Sequence, residues 1–354
     1  MFRSLLRLQT TSVDSLAIGQ RRVHGRVVIA HTVAVIALVL VGLASILVGA
    51  SGLDPVTVIG AIFHYDPQST ADLIVVQKRL PRTLVGLLVG CALGLAGAVA
   101  QGLTRNPIAD PGLLGVSYGA SLAVVLGTSI TGAMALSGYV WFAFLGAAIA
   151  SVVVFAIASL GREGATPVKL VLVGAAVSAA CGSIITAILL TSRAALDTMR
   201  FWQVGAIAGR GYDVFWQMLP AVVLGVVLAL LLGRQLNGLS LGDDVARGLG
   251  QRVGLTRVIG ATAIVLLCGA ATAAAGPIVF VGLAVPHIAR AFVGPDYRRV
   301  ITFSALVGPI VILGCDIIGR LVAAPGELEV GIVTAFVGAP FFIAMVRRRK
   351  LPSL

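Results

Sequence analysis

The sequence predicts an all-α integral membrane protein of about ten transmembrane helices. Three observations predict it. Mean hydropathy is +1.04, with 58% hydrophobic and only 11% charged residues, whereas a water-soluble domain carries about a quarter charged residues. So few charges cannot cover a soluble surface of this size, so lipid must cover much of it. Apolar runs long enough to span a bilayer recur along the chain, and basic residues gather in the short connections between them.

The formal charge of +12 fits either nucleic-acid binding or the positive-inside bias of membrane proteins. The second reading holds, because no basic stretch is interleaved with the stacking aromatics of a single-strand binder. No nucleic-acid partner is expected. Cys91, Cys181, Cys268 and Cys315 each lie alone in an apolar run. They lack the C-x-x-C spacing of a zinc or redox site and read as small apolar helix residues.

A span needs about 20 mostly apolar residues. The expected spans are 28–50, 82–103, 112–131, 139–160, 168–191, 214–233, 257–275, 279–293, 302–319 and 330–346. Before the first lie Arg3, Arg7, Arg21, Arg22 and Arg26. The run from Val27 to Ala50 exceeds the roughly 7–15 apolar residues of a signal peptide. It is therefore read as an uncleaved span after a cytosolic tail, residues 1–27. The eighth run is short and contains Pro286, so it is not expected to cross as one straight helix. The transmembrane region is 28–346, and 347–354 form a basic cytosolic tail.

An even number of spans puts both termini on one side. With the N-terminus cytosolic, the cytosolic segments hold Arg105, Arg162, Lys169, Arg234, Arg247, Arg252, Arg257, Arg298, Arg299 and Arg347 to Lys350. The outer segments hold Lys78, Arg79, Arg82, Arg193, Arg200, Arg210 and Arg320, offset by Asp54, Asp66, Asp72, Asp197, Asp213, Glu327 and Glu329. The expected location is the cytoplasmic (inner) membrane with both termini in the cytosol. Arg82 to Gln101 and Arg257 to Gly276 are similar small-residue runs that start on opposite sides, as an inverted repeat would. Gly86, Gly90, Gly94 and Gly97 form one stripe, which lets helix backbones approach closely in lipid.

Five stretches carry more than hydropathy. Lys78-Arg79-Leu80-Pro81-Arg82 places cations at a helix N-terminus, against the helix dipole, so it calls for an acidic partner or lipid phosphate. Arg105 to Ala120, beginning Arg-Asn-Pro-Ile-Ala-Asp-Pro-Gly, reads as a tight turn in which Asn106 and Asp110 satisfy backbone groups. Leu236 to Gly250 contains Asp243 and Asp244 at a helix start and Gly250 at its end. A short amphipathic segment of this kind suits a socket on another protein or the membrane surface. Gly276 to Arg290 places His287 and Arg290 in or near lipid, where such groups face a protein interior. In Gly314 to Arg320, Asp316 and Arg320 are four apart and can pair on one helix face; Pro325 to Gly331 follows.

In this order, from about residue 75 to 346, these stretches resemble the iron-siderophore and cobalamin permease family, the FecCD type. The resemblance implies a type II ABC importer permease fold, with a second permease subunit (homodimer or heterodimer) completing a central pathway. It implies cytosolic ATPase subunits that bind the ATP, no cofactor in this chain, and an extracytoplasmic substrate-binding protein that delivers a ferric siderophore or similar metal chelate. Arg79, Arg82 and Arg320 match arginines that receive acidic residues of the binding protein. Gly242, Asp243, Asp244, Ala246, Arg247, Leu249 and Gly250 match the segment seated in an ATPase cleft. Glu329 departs from the proline more usual there.

The chain is not expected to hydrolyse ATP. A P-loop needs a lysine after glycine to hold phosphate, and none of Lys78, Lys169 and Lys350 follows glycine. The competing reading, an ion-gradient-driven secondary transporter, would need titratable groups near the bilayer midplane. Only His287 and Asp316 are candidates, Asp316 toward a span end and His287 in the short eighth run.

Overall fold

In lipid a backbone must satisfy its own hydrogen bonds, and an isolated segment can do so only as a helix. The computed structural model describes residues 2–49, 52–131, 136–160 and 166–347. Arg162 and the expected tail beyond Arg347 lie outside the described residues. Among the described residues, seven helices are long and apolar enough to cross a membrane, with three shorter apolar helices beside them. Together they fall on the expected spans.

In chain order the helices are α1 (Phe2–Leu47), α2 (Pro55–Phe63), α3 (Thr70–Ile74), α4 (Leu80–Thr104), α5 (Val116–Thr131), α6 (Leu136–Ala158), α7 (Pro167–Thr191), α8 (Arg193–Trp202), α9 (Tyr212–Leu231), α10 (Gly233–Ser240), α11 (Asp243–Gly248), α12 (Val253–Ala275), α13 (Val281–Val293), α14 (Tyr297–Val322) and α15 (Val330–Arg347). A π-turn, Val75–Arg79, joins α3 to α4, and a 3-10 turn, Pro111–Leu114, precedes α5.

Two expectations change. α1 runs unbroken through the boundary expected between tail and first span. The run expected as one span at 112–131 is split, because Gly115 adopts φ +75° between the 3-10 turn and α5. The outer segments left between the expected spans, 51–81 and 192–213, contain α2, α3 and α8. In α8, Ala195, Met199 and Trp202 point inward at helical spacing, a signal present in the sequence but too short to count as a span. As expected, α13 is short, at 13 residues, with Pro286 inside it.

α4 is the axis of the fold. It packs on α14, α12, α13 and α9, and 78% of the apolar window in the Thr70–Thr104 run is buried, against 6% in the Gly25–Leu47 span of α1. The glycine stripe explains this enclosure. A Cβ at Gly90 would stand 2.5 Å from the Pro309 backbone, and one at Gly97 would run into the Gly282 carbonyl. Gly86 and Gly94 meet α14 at Leu313 and Ser304. The start of α12 meets the end of α4, where Gly260 touches Leu103. α12 and α14 therefore both run antiparallel to α4. Around this core the outer helices turn apolar side chains outward, such as Val33, Ile36 and Leu40 on α1, as a lipid-facing surface requires.

Candidate functional site

Polar side chains concentrate at the two ends of α4. At its N-terminal end, the π-turn adds a residue to the helical repeat and so rotates Lys78 and Arg79 relative to the residues that follow. α1 ends beside it. Arg79 Nη1 donates to the carbonyls of Ile46 and Leu47 at 2.9 and 2.8 Å. Arg320 Nη1 donates to the Ser45 carbonyl at 2.8 Å, and its Nη2 to Ser45 Oγ at 3.0 Å. Both arginines thus satisfy the last carbonyls of α1, which its own helix leaves unpaired.

Asp316 is the centre of this end. Arg82 donates to it through Nε and Nη2, the shorter contact being 2.7 Å. Arg320, one turn away on α14, pairs with its other oxygen at 2.8 Å. Arg82 Nη1 pairs with Glu327 Oε2 at 2.6 Å. Arg79, Arg82 and Arg320 are all buried. The anion that offsets the helix-start cations thus comes in part from within the chain, which sequence spacing alone does not reveal. Exchanging all three arginines for Glu would crowd carboxylates around Asp316, so such a variant tests folding as much as docking. Lys78 is exposed and separates the two. Nearby Glu329, half-buried, has its carboxyl raised above the usual range by burial, with Arg82 and Arg210 partly offsetting this.

At the other end, Arg105 follows α4 in a left-handed conformation, φ 50°. Asn106 Oδ1 accepts from the Ile108 amide at 3.1 Å and Asp110 Oδ1 from the Gly112 amide at 2.8 Å, the turn the sequence predicts. Burial raises the Asp110 carboxyl, partly offset by that amide bond. Gly242, at φ +105°, precedes α11, a conformation that favours glycine. Asp243 then collects Arg257 at 2.7 Å, Arg105 at 3.4 Å and Arg247 at 3.9 Å. Asp244 pairs with Arg247 at 2.9 Å. Asn237 of α10 is tied to the start of α14, donating to Asp296 at 2.7 Å and accepting from the Tyr297 amide at 2.8 Å. Gly250 also takes positive φ, +80°.

Ala246 is fully buried within the chain, so it supports α11 from inside and does not face a partner. The exposed large apolar residues there are Leu241, Val245 and Leu249, four apart in sequence. Apolar side chains exposed together on a polar segment mark a contact surface.

In the last turn of α4, Gln101 Oε1 accepts from Arg290 Nη2, and Gln101 Nε2 donates to the Leu283 carbonyl at 3.2 Å. Arg290 therefore binds α13 to α4. Sequence reasoning singled out Arg290 but missed Gln101. Both Asp316 oxygens are held by arginine, and His287 lies edge-on to Phe341 at 6.1 Å. Asp316 therefore serves as a structural counter-ion and not as a carboxylate open to a pathway.

Spans packed around an enclosed glycine-rich helix, with apolar side chains turned outward, make this a multi-pass helical membrane protein. The model of the FecCD transport family matches residues 37–348, and the chain belongs to that family. It is 47% identical to the ferric enterobactin transport system permease protein FepD of Escherichia coli K12, over 86% of this chain and 91% of that protein. It is 42% identical to the probable siderophore transport system permease YfiZ of Bacillus subtilis, over 78% and 83%. The cobalamin import system permease BtuC of Halobacterium salinarum is 37% identical, over 83% and 79%. A solved inward-facing transporter described as of metal-chelate ABC type superposes with a TM-score of 0.78 at 26% identity, covering 89% of this chain and 97% of that one. The chain is the membrane-spanning permease subunit of an ATP-binding-cassette import system, not an ATPase.

Proposed function

We propose that this permease carries a ferric siderophore or a similar ferric chelate inward. A substrate-binding protein delivers the chelate at the Arg82 end, and ATPase subunits drive transport from the Asp243 end. The observation that carries this reading is the division of labour along α4. One end has a cationic cavity of about 230 Å³ lined by Lys78, Arg79, Arg82 and Arg320, suited to acidic side chains. The other has exposed Leu241, Val245 and Leu249 on the α11 segment, suited to an apolar cleft. The names of the relatives, which include ferric enterobactin, iron(3+)-hydroxamate and Fe(3+)-citrate systems, support an iron chelate as cargo. The basic connections support a cytosolic Asp243 end with both termini inside. ATP belongs to the ATPase, and a second permease subunit completes the pathway. Residues 1–27 and 347–354 are the cytosolic tails of a 28–346 transmembrane region.

The test is uptake of a radiolabelled ferric siderophore by cells that lack their own permease and carry this one with an ATPase and a binding protein. Uptake should require ATP hydrolysis and fall when Lys78→Glu weakens salt-sensitive docking. Uptake that follows an ion gradient and needs no ATPase would overturn the reading. Cysteines placed at Ser12 and Ser353, with the native cysteines removed, should resist impermeant thiol reagents; labelling from outside would reverse the orientation.

A further inference from the structure

Arg82 uses its guanidinium on two sides, and the two carboxylates it holds differ in kind. Asp316 is inside the α4–α14 contact, with its side chain 1% exposed and its second oxygen taken by Arg320. Glu327 comes from the connection between α14 and α15, and its side chain is 32% exposed. It pairs with the Nη1 corner of Arg82 at 2.6 Å. Glu327, and not Asp316, lines a small cavity at this end of α4. The cavity of about 230 Å³ is walled by Gly49, Ile74, Lys78, Arg79, Arg82, Gly209, Arg320 and Glu327. At about 30 Å³ per water, it accommodates one carboxylate side chain with a few waters, and not a bulky chelate. Its ionic lining is four cations and a single carboxylate.

We propose that Glu327 is a placeholder in the docking site. It occupies the Nη1 corner of Arg82 while the permease is unaccompanied, and yields that corner to a carboxylate of the docking protein. The proposal rests on the docking reading above. The physical reason is conservation of partners. Arg82 and Arg320 share the single charge of Asp316, so without the Glu327 carboxylate a net buried positive charge would remain, which is destabilising. Exchanging one carboxylate for another keeps the number of charge-assisted contacts constant, so the net free energy of the step is small. The exchange is then reversible, and it discriminates, since no neutral or basic side chain can replace Glu327. Asp316 stays in place throughout and holds Arg82 in position to be exchanged. The shift falls to the loop residue because its side chain is partly in water and its backbone is not helical.

The experiment uses the full-length permease in lipid nanodiscs. Phenylglyoxal, an arginine reagent, reports access to Arg82 by mass spectrometry, and acetyl-tetraglutamate serves as the carboxylate probe. In Glu327→Gln, Arg82 should react about threefold faster or more, a change of order 0.7 kcal/mol. The acidic peptide should protect it at a correspondingly lower concentration than in the unaltered chain. Glu327→Asp keeps the charge with a shorter reach and should lie between the two. It also serves if Glu327→Gln fails to melt cooperatively. Arg82 labelling and peptide protection unchanged in both variants would overturn the proposal. That result, with Lys78→Glu still weakening docking, would reject the placeholder and leave the docking reading standing. Docking insensitive to Lys78→Glu would reject the docking reading itself.

Discussion

The two ends of α4 carry nearly the same inventory in different settings. At each, arginines from separate elements converge on one aspartate. Around Asp316 the contacts are 2.7 and 2.8 Å and the carboxylate is 1% exposed. Around Asp243 they grade from 2.7 through 3.4 to 3.9 Å and the carboxylate is 23% exposed. A dry, bidentate cluster is costly to break, because each partner left behind is an unpaired buried charge. A wet one is screened and adjustable. The same residue types thus make a rigid frame that ties α1, α4 and α14 together at one end, and a looser tether for the short α11 at the other.

The comparison can be broken most directly at Asp316. Asp316→Ala leaves Arg82 and Arg320 without their shared anion and should cost about 3–5 kcal/mol, read as a large drop in the thermal midpoint in nanodiscs. A midpoint near that of the unaltered chain would mean the frame is not built on this residue. Asp243→Ala should cost less in stability, about 1–3 kcal/mol, because buried Arg257 loses its anion while the more exposed Arg105 and Arg247 turn to water. It should also lower the ATPase activity that transport stimulates. A stability loss equal to that of Asp316→Ala would erase the distinction between the two ends.

Leu249→Glu sharpens the contrast further, because it touches only the exposed face of the α11 segment. Stability should stay within about 0.5 kcal/mol, whereas co-purification of the ATPase should fall. Undiminished co-purification would move the contact elsewhere. The smallest effect is expected at Glu329. Burial raises its carboxyl, so the folded state holds the proton more tightly than the unfolded chain. Its contribution is therefore most favourable in acid and is lost as pH rises through the usual carboxylate range to the raised value. Glu329→Gln should raise the melting temperature at neutral pH by less than about 2 °C and leave it unchanged in acid. An equal shift at both would mean that the effect is not ionic.

Much of the site was legible as parts. The i,i+4 spacing of Asp316 and Arg320 states their pairing outright, and Asp243-Asp244 after Gly242 states a helix start. What spacing could not supply was Arg82 on Asp316 and Glu327, or Arg105 and Arg257 on Asp243, because those partners lie far apart along the chain or on different helices. It also could not tell which way Ala246 faces. On a helix as short as α11, a small apolar residue suits a partner's cleft and its own protein's core equally well. α8 escaped notice for a related reason: hydropathy windows are tuned to spans, and a ten-residue helix with three inward apolar residues falls below them.

The sequence by itself determined that this protein lives in a bilayer, where its spans fall, that glycine would line one face of α4, and to which transport family it belongs. The first three follow from local composition and spacing, since apolar runs of span length form helices in lipid and small residues let backbones touch; the family follows from the likeness of five motifs to those of known permeases. Only the tertiary structure decided which charges meet. It placed α14 antiparallel to α4, so that Asp316 arrives beside Arg82, and it brought α12 back so that Arg257 reaches Asp243. The energy of a buried ion pair depends on distance and solvent exclusion, and neither is set until the helices have packed.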